Sequence, residues 1–89
     1  MSFKGEVMKT THTLKIIPEY FIPLERGIKN FEIRYNDRNY QVGDVIEFRE
    51  YFPDVKEYSG EWIMAKIIYI LDNQQFLREG YVALGLETL

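Results

Sequence analysis

The sequence predicts a mainly β chain with one short helix, an α+β fold of five to six strands in the order β-α-β-β-β-β. Three observations carry this. Short runs alternate apolar with polar residues between turn-forming clusters. One segment is bracketed by a proline and a glycine in the way helices are. Hydrophobic residues make up 46% of the chain and aromatics 16%, enough to build a core and incompatible with disorder as the overall state. Short strands with open edges risk aggregation, so the sheet is expected to curl into a β-barrel with the helix beside it.

Taken in order, residues 12–17 read as a strand, and Pro18 is typical of a first helical turn. The helix should run to Glu25 or Arg26, with Tyr20 and Leu24 on one face and Gly27 as its stop. Pro23 has no N–H to donate, which predicts a kink or a 3₁₀ turn there. Residues 30–36 alternate as a strand. The expected assignment puts Phe31, Ile33 and Tyr35 toward the core and Glu32, Arg34 and Asn36 on the other face, with Lys29 entering from the preceding turn. Asn36-Asp37-Arg38-Asn39 is a turn by composition, and Gly43-Asp44 a second one. The strand over 45–52 alternates Ile46 and Phe48 with Glu47 and Arg49. Residues 53–60 read as a polar loop. Trp62 to Leu71, apolar on both faces apart from Lys66, reads as a central strand. A loop over 72–79 precedes the last strand at 81–86.

Eighty-nine residues make one domain, expected over 12–89, with residues 1–11 a flexible N-terminal extension and Met8 a candidate natural start. There are no cysteines, so disulfides, thiolate zinc sites and a cysteine nucleophile are excluded together. One histidine and scattered carboxylates lack metal-ligand spacing, and no cofactor is expected. The longest apolar stretch, Ile67 to Leu71, is far too short to span a bilayer. No signal-peptide run stands at the start, and a reducing cytoplasm is the compartment these features fit.

The net charge of −3 gives no global field for polyanions, but its distribution is uneven. Arg26, Lys29, Arg34 and Arg38 outnumber Glu32 and Asp37 over residues 26–38. Over 44–61, Asp44, Glu47, Glu50, Asp54, Glu57 and Glu61 face only Arg49 and Lys56. A small basic spot on an acidic body suits a short single-stranded or single-nucleotide ligand better than a duplex.

The segment that reads most like a site is Gly27-Ile28-Lys29-Asn30-Phe31-Glu32-Ile33-Arg34. A lysine, a glutamate and an arginine converging at one end of a small barrel can hold a phosphate, polarise a carbonyl, or neutralise one another as a structural ion pair. Arg38 and Arg49 are further candidate phosphate contacts. His12 is a candidate general base or base-stacking partner, with a packed structural histidine as the plainer reading. Glu50 is placed to reach the Lys29 cluster from a neighbouring strand. Aromatics at the rim of such a cleft can stack on bases.

The spacing resembles the G-x-K-x-x-E-x-R signature of the ASCH superfamily, relatives of the PUA domains that bind RNA. The resemblance extends through His12-Thr13-Leu14-Lys15-Ile16, Tyr20-Phe21, Asn36-Asp37-Arg38, Gly43-Asp44, Phe48-Arg49-Glu50-Tyr51 and Gly80-Tyr81-Val82, across roughly residues 12–86. It implies a PUA-like β-barrel and a binding cleft between helix and barrel. The expected function is a noncatalytic RNA- or nucleotide-binding module that uses Lys29, Glu32, Arg34, Arg38, His12 and Arg49.

Related small ASCH enzymes imply a rival, hydrolysis of the amide of acetylated cytidine by a Lys-x-x-Thr pair and a glutamate from another strand. Here Lys29 remains, Glu32 occupies the threonine slot, and Glu50 is the available second carboxylate, so the hydroxyl nucleophile is missing. A third reading is a protein-interaction domain, for instance a regulatory factor of a bacterium or its phage, working through the acidic segment 44–61.

Overall fold

Alternation in the second half of the chain builds the centre of the sheet. The computed structural model describes residues 9–89. In it β3 (Val45–Phe52) and β4 (Glu57–Leu71) form an antiparallel hairpin. β5 (Tyr81–Thr88) continues antiparallel to β4, and β2 (Phe31–Tyr35) pairs antiparallel with β5. β1 (Thr11–Ile16) lies parallel to β3 at the opposite edge. The order β1-β3-β4-β5-β2 makes one five-stranded sheet, curled as a half-barrel. The helix α1 (Pro18–Glu25) contributes Phe21 and Leu24 to the core with Ile46, Phe48, Ile67 and Leu84.

The chain thus follows the expected β-α-β-β-β-β order, with five strands. Gly27 ends the helix as expected. It sits at φ +73°, its N–H donating to Leu24 O (3.1 Å) while Ile28 N–H donates to Pro23 O (2.9 Å). These two bonds satisfy the last helical carbonyls in a left-handed cap. A Cβ at Gly27 would meet nothing within 4 Å, so Gly27→Ala isolates the conformational cost. It should lower stability by about 1 kcal/mol, read as a shift of the urea midpoint with unchanged slope.

Several expectations are corrected. Pro23 lies within a continuous α-helix rather than at a 3₁₀ turn. Its missing donor would have served the carbonyl of Glu19, an exposed first-turn residue that water can reach. The helix buries Phe21 with Leu24, leaving Tyr20 about half exposed. The hairpin loop is only residues 53–56, because Glu57–Gly60 extend β4. The Tyr51–Tyr58 pair, edge-on at 5.0 Å, stabilises that extension. β4 is central, but only its concave side is buried, at Ala65 and Ile67.

Of the expected N-terminal extension, residues 1–8 lie outside the described residues. Thr11 already opens β1, and Val45 N–H donates to Thr10 O (3.0 Å). Among the described residues no helix is long and apolar enough to cross a membrane.

Candidate functional site

β2 presents the opposite face to the one its hydrophobic pattern predicts. Glu32 is 7% exposed and points into the half-barrel, whereas Phe31, Ile33 and Tyr35 are 47%, 50% and 56% exposed on the convex side. The physical reason lies at the seam where the two sheet edges approach each other. β1 and β2 do not pair, and the odd-numbered carbonyls of β1 face the gap. Arg34 Nη2 donates to Lys15 O (2.8 Å) and Arg38 Nη1 to Thr13 O (3.1 Å). Two guanidiniums thus satisfy the edge that a sixth strand would otherwise cover.

Arg34 also holds Glu32, through Nε to Oε2 at 3.2 Å and Nη2 to Oε2 at 3.1 Å. Lys29 Nζ donates to the other oxygen, Oε1. The carboxylate is therefore bound at both ends, and the cluster Lys29–Glu32–Arg34 carries a formal charge of +1. The helix cap positions Lys29, since its N–H shares the Pro23 carbonyl with that of Ile28 (3.0 Å). Its ammonium then sits near the rings of Phe31 (5.3 Å to the centroid) and Tyr20 (5.6 Å).

These side chains frame a cleft of about 420 Å³ between α1 and β2, lined by Tyr20, Lys29, Phe31, Glu32 and Ile33. A second depression of about 400 Å³ continues it along the seam past Lys15, Ile17, Arg34 and Tyr81. The two share Tyr20, Glu32 and Ile33. The free edge of β2 faces this space. Leu86 N–H donates to Asn30 O (2.9 Å) and Asn36 N–H to Gly80 O (2.8 Å), so the even-numbered positions bond to β5. The N–H and C=O of Phe31 and Ile33 point the other way. The cleft therefore offers aromatic walls, a cation, and strand-edge donors and acceptors.

The other candidates named from sequence lie elsewhere. His12 is buried, with Nε2 2.9 Å from Asp44 Oδ2 and its ring edge-on to Tyr40 at 4.9 Å. It is a structural histidine, removed from the cleft. Asp44 also accepts from the N–H of Gln41 (3.0 Å) and of Thr10 (3.2 Å). Burial would raise its pKa, but the hydrogen bonds from His12, Gln41 and Thr10 outweigh burial and hold the carboxyl below its ordinary value. Burial pushes the Tyr40 hydroxyl up, against the opposing pull of Arg34 and Arg38.

Arg49 lies on the outer face and pairs with Glu47 at 3.1 Å. Arg38 reaches the seam but lines neither depression. Glu50 faces inward on β3, opposite Ile16, yet makes no hydrogen bond or ion pair with the Lys29 cluster among the described residues. Sequence reasoning missed Phe31 and Ile33 as cleft walls, having placed both in the core. Among the described residues no group of three His, Asp or Glu side chains is arranged to hold a metal ion.

A model of a family described as a domain of unknown function, DUF3850, matches residues 11–86. The chain belongs to the DUF3850 family. The matched DUF3850 span begins at the first residue of β1 and ends inside β5, so it contains every element that builds the cleft and the seam. The chain is also similar to a protein of Escherichia phage P2, "Uncharacterized 12.9 kDa protein in GpA 3'region". The two are 33% identical over 78 residues, 88% of this chain and 69% of the phage protein.

Proposed function

We propose that this DUF3850 domain is a noncatalytic module of the ASCH superfamily, with a PUA-like half-barrel, that binds a nucleotide or short single-stranded RNA in the cleft between α1 and β2. The observation that carries the reading is the composition of that cleft. Tyr20 and Phe31 stand on either side of Lys29, beside strand-edge N–H and C=O groups. Aromatic faces take a base by stacking, backbone groups hydrogen-bond its edge, and the net cationic cluster meets a phosphate or a carbonyl oxygen. Because Arg34 and Arg38 are committed to the β1 carbonyls, Lys29 carries more of the electrostatic role than the sequence pattern alone implies. A cytoplasmic location belongs to the same reading.

The geometry gives hydrolysis little support. A general base needs a free oxygen near the water it activates, whereas both oxygens of Glu32 accept from cations. The unmodified chain should therefore show no turnover of acetylated cytidine. Robust turnover abolished by Lys29→Ala would replace the binding reading with an enzyme. The acidic segment 44–61 as a protein-docking face is a third reading, tested by whether a captured partner survives nuclease treatment.

The deciding test is a titration of a short single-stranded RNA and of a mononucleotide against the wild-type chain, Tyr20→Ala and Phe31→Ala. Both rings are about half exposed, so both variants should fold. Each should weaken binding about 5- to 100-fold, the range of one lost stacking contact. Affinity should fall with rising salt at a shallow slope, reflecting one or two neutralised phosphates. Full affinity in both variants would remove the cleft from the mechanism.

A further inference from the structure

The cleft between α1 and β2 and the depression that continues it along the seam share a wall of Tyr20, Glu32 and Ile33. Of the two, Lys29 and Phe31 line only the first, and Arg34, Tyr35 and Tyr81 only the second. At about 420 and 400 Å³, each is by itself large enough for one small ligand, since such sites begin at about 300 Å³. The second has an aromatic wall of its own. Tyr35 and Tyr81 face each other across β2 and β5 with their rings edge-on at 5.4 Å, and they are 56% and 37% exposed. Gly80 makes room for the Tyr35 ring, because a Cβ there would stand 2.5 Å from its Cε1.

We infer that the second depression is a subsite for a second base, so that the ligand of the cleft is a dinucleotide step of a single strand rather than a mononucleotide. The inference rests on the nucleotide-binding reading of the cleft and adds the subsite to it. Charge at the junction selects this ligand. Glu32 belongs to both depressions, with Lys29 on it from the first and Arg34 from the second. The formal +1 of the three matches the single negative charge of an internucleotide diester. A terminal phosphate carries about −1.5 to −2 and would bring surplus charge against the Glu32 carboxylate.

The donors for a diester are in place on both sides. Arg34 uses Nε and Nη2 on Glu32 and on Lys15 O, and its Nη1 has no partner among the described residues. Lys15 lines the second depression too, but its ammonium lies 4.4 Å over the Tyr51 ring, which leaves Arg34 as the cation of that subsite. The spacing selects a single strand. Phe31 and Tyr35 stand four residues apart on β2, about 13 Å, whereas a stacked strand advances about 3.4 Å per nucleotide. Bases on the two walls are therefore held unstacked, a conformation open to a single strand and closed to a duplex.

Isothermal titration calorimetry with the dinucleoside monophosphate ApA and with AMP tests the inference on the wild-type chain, Phe31→Ala, Tyr35→Ala, Tyr81→Ala and Tyr81→Phe. Both probes carry one phosphate, so a difference between them reads the second base. ApA should bind the wild type about 5- to 100-fold more tightly than AMP, the range of one stacking contact. Its affinity should fall with salt at a slope of about −0.7, the value for one phosphate on a single strand. Tyr35→Ala and Tyr81→Ala should each remove most of the ApA advantage, while AMP, bound in the first depression, holds its affinity and shows that each variant is folded. Tyr81→Phe keeps the stacking face and should keep the advantage. Equal affinity for ApA and AMP, with both weakened by Phe31→Ala, overturns the second subsite and leaves the cleft reading intact. An ApA advantage that survives both tyrosine-to-alanine changes overturns the subsite equally, and no binding of either probe overturns both readings.

Discussion

Replacing Lys29 and Arg34 together by alanine should destabilise the domain by about 3–5 kcal/mol, because it leaves Glu32 as an uncompensated buried carboxylate. A domain of this size has only about 5–15 kcal/mol in total, so the double variant should be partly unfolded at moderate temperature. The loss has two sources. Glu32 loses the donors on both of its oxygens, and Lys15 O at the seam loses the guanidinium that closes it. Arg34→Ala removes a share of each and should cost about 2–3 kcal/mol. Lys29→Ala leaves Arg34 on the carboxylate and should cost about 1–2 kcal/mol.

A fourth variant separates charge compensation from packing. Converting the whole cluster to Lys29→Met, Glu32→Leu and Arg34→Met should come within about 1 kcal/mol of the wild type on the charge term, less the seam bond to Lys15. Urea unfolding followed by far-UV circular dichroism measures all four. A double-alanine variant that loses less than about 1 kcal/mol, the worth of an exposed pair, would mean that the cluster is a solvated surface group and not part of the seam.

Asp44→Ala should be of similar severity, about 3–4 kcal/mol. It strips the hydrogen-bond acceptor from His12 and from two backbone N–H groups where water has little access. Asp44→Asn keeps one acceptor oxygen but turns an amide N–H₂ toward the donors, and should cost about 1–3 kcal/mol. The carboxyl also sets a pH dependence. Its folded-state pKa lies below the ordinary 3.8, so the folded chain holds the ionised form more tightly than the unfolded chain does. Its contribution is fully present above pH 3.8 and is lost as the pH falls through the lowered folded value. Acid unfolding of the wild type should therefore steepen below that point, and Asp44→Asn should flatten the slope there. Equal slopes would mean that other carboxylates carry the acid transition.

The order of elements was legible because its signals are local. Pro18 and Gly27 bracket the helix, Gly43-Asp44 opens β3, and the alternation of Ile46 and Phe48 names its buried face. The face of β2 was not legible. Alternation says which residues share a side, and the apolar side is normally the inner one. Here the inner side must supply guanidinium donors to the unpaired edge of β1, and Glu32, Lys29 and Arg34 compensate one another well enough to be buried. That requirement arises from residue pairs 19 and 25 positions apart in sequence, beyond any local pattern.

The same limit applies to the site. The Lys29, Glu32 and Arg34 cluster follows from spacing on one strand and its preceding turn. His12 could not be assigned from its neighbours, since its partner Asp44 lies 32 residues away. Arg49 looked available only because Glu47, two residues earlier on the same strand face, was not matched to it. Phe31 and Ile33 became cleft walls as a direct consequence of the inverted face.

An NMR titration of the ¹⁵N-labelled chain with a mononucleotide and with a short single-stranded RNA tests the central claim most directly, because it locates contacts residue by residue without altering the protein. The account predicts saturable amide shifts concentrated at Tyr20, Lys29, Phe31 and Ile33, with the segment 44–61 largely unmoved. The absence of shifts with both ligands, or shifts confined to 44–61 or to the outer face around Arg49, would contradict it.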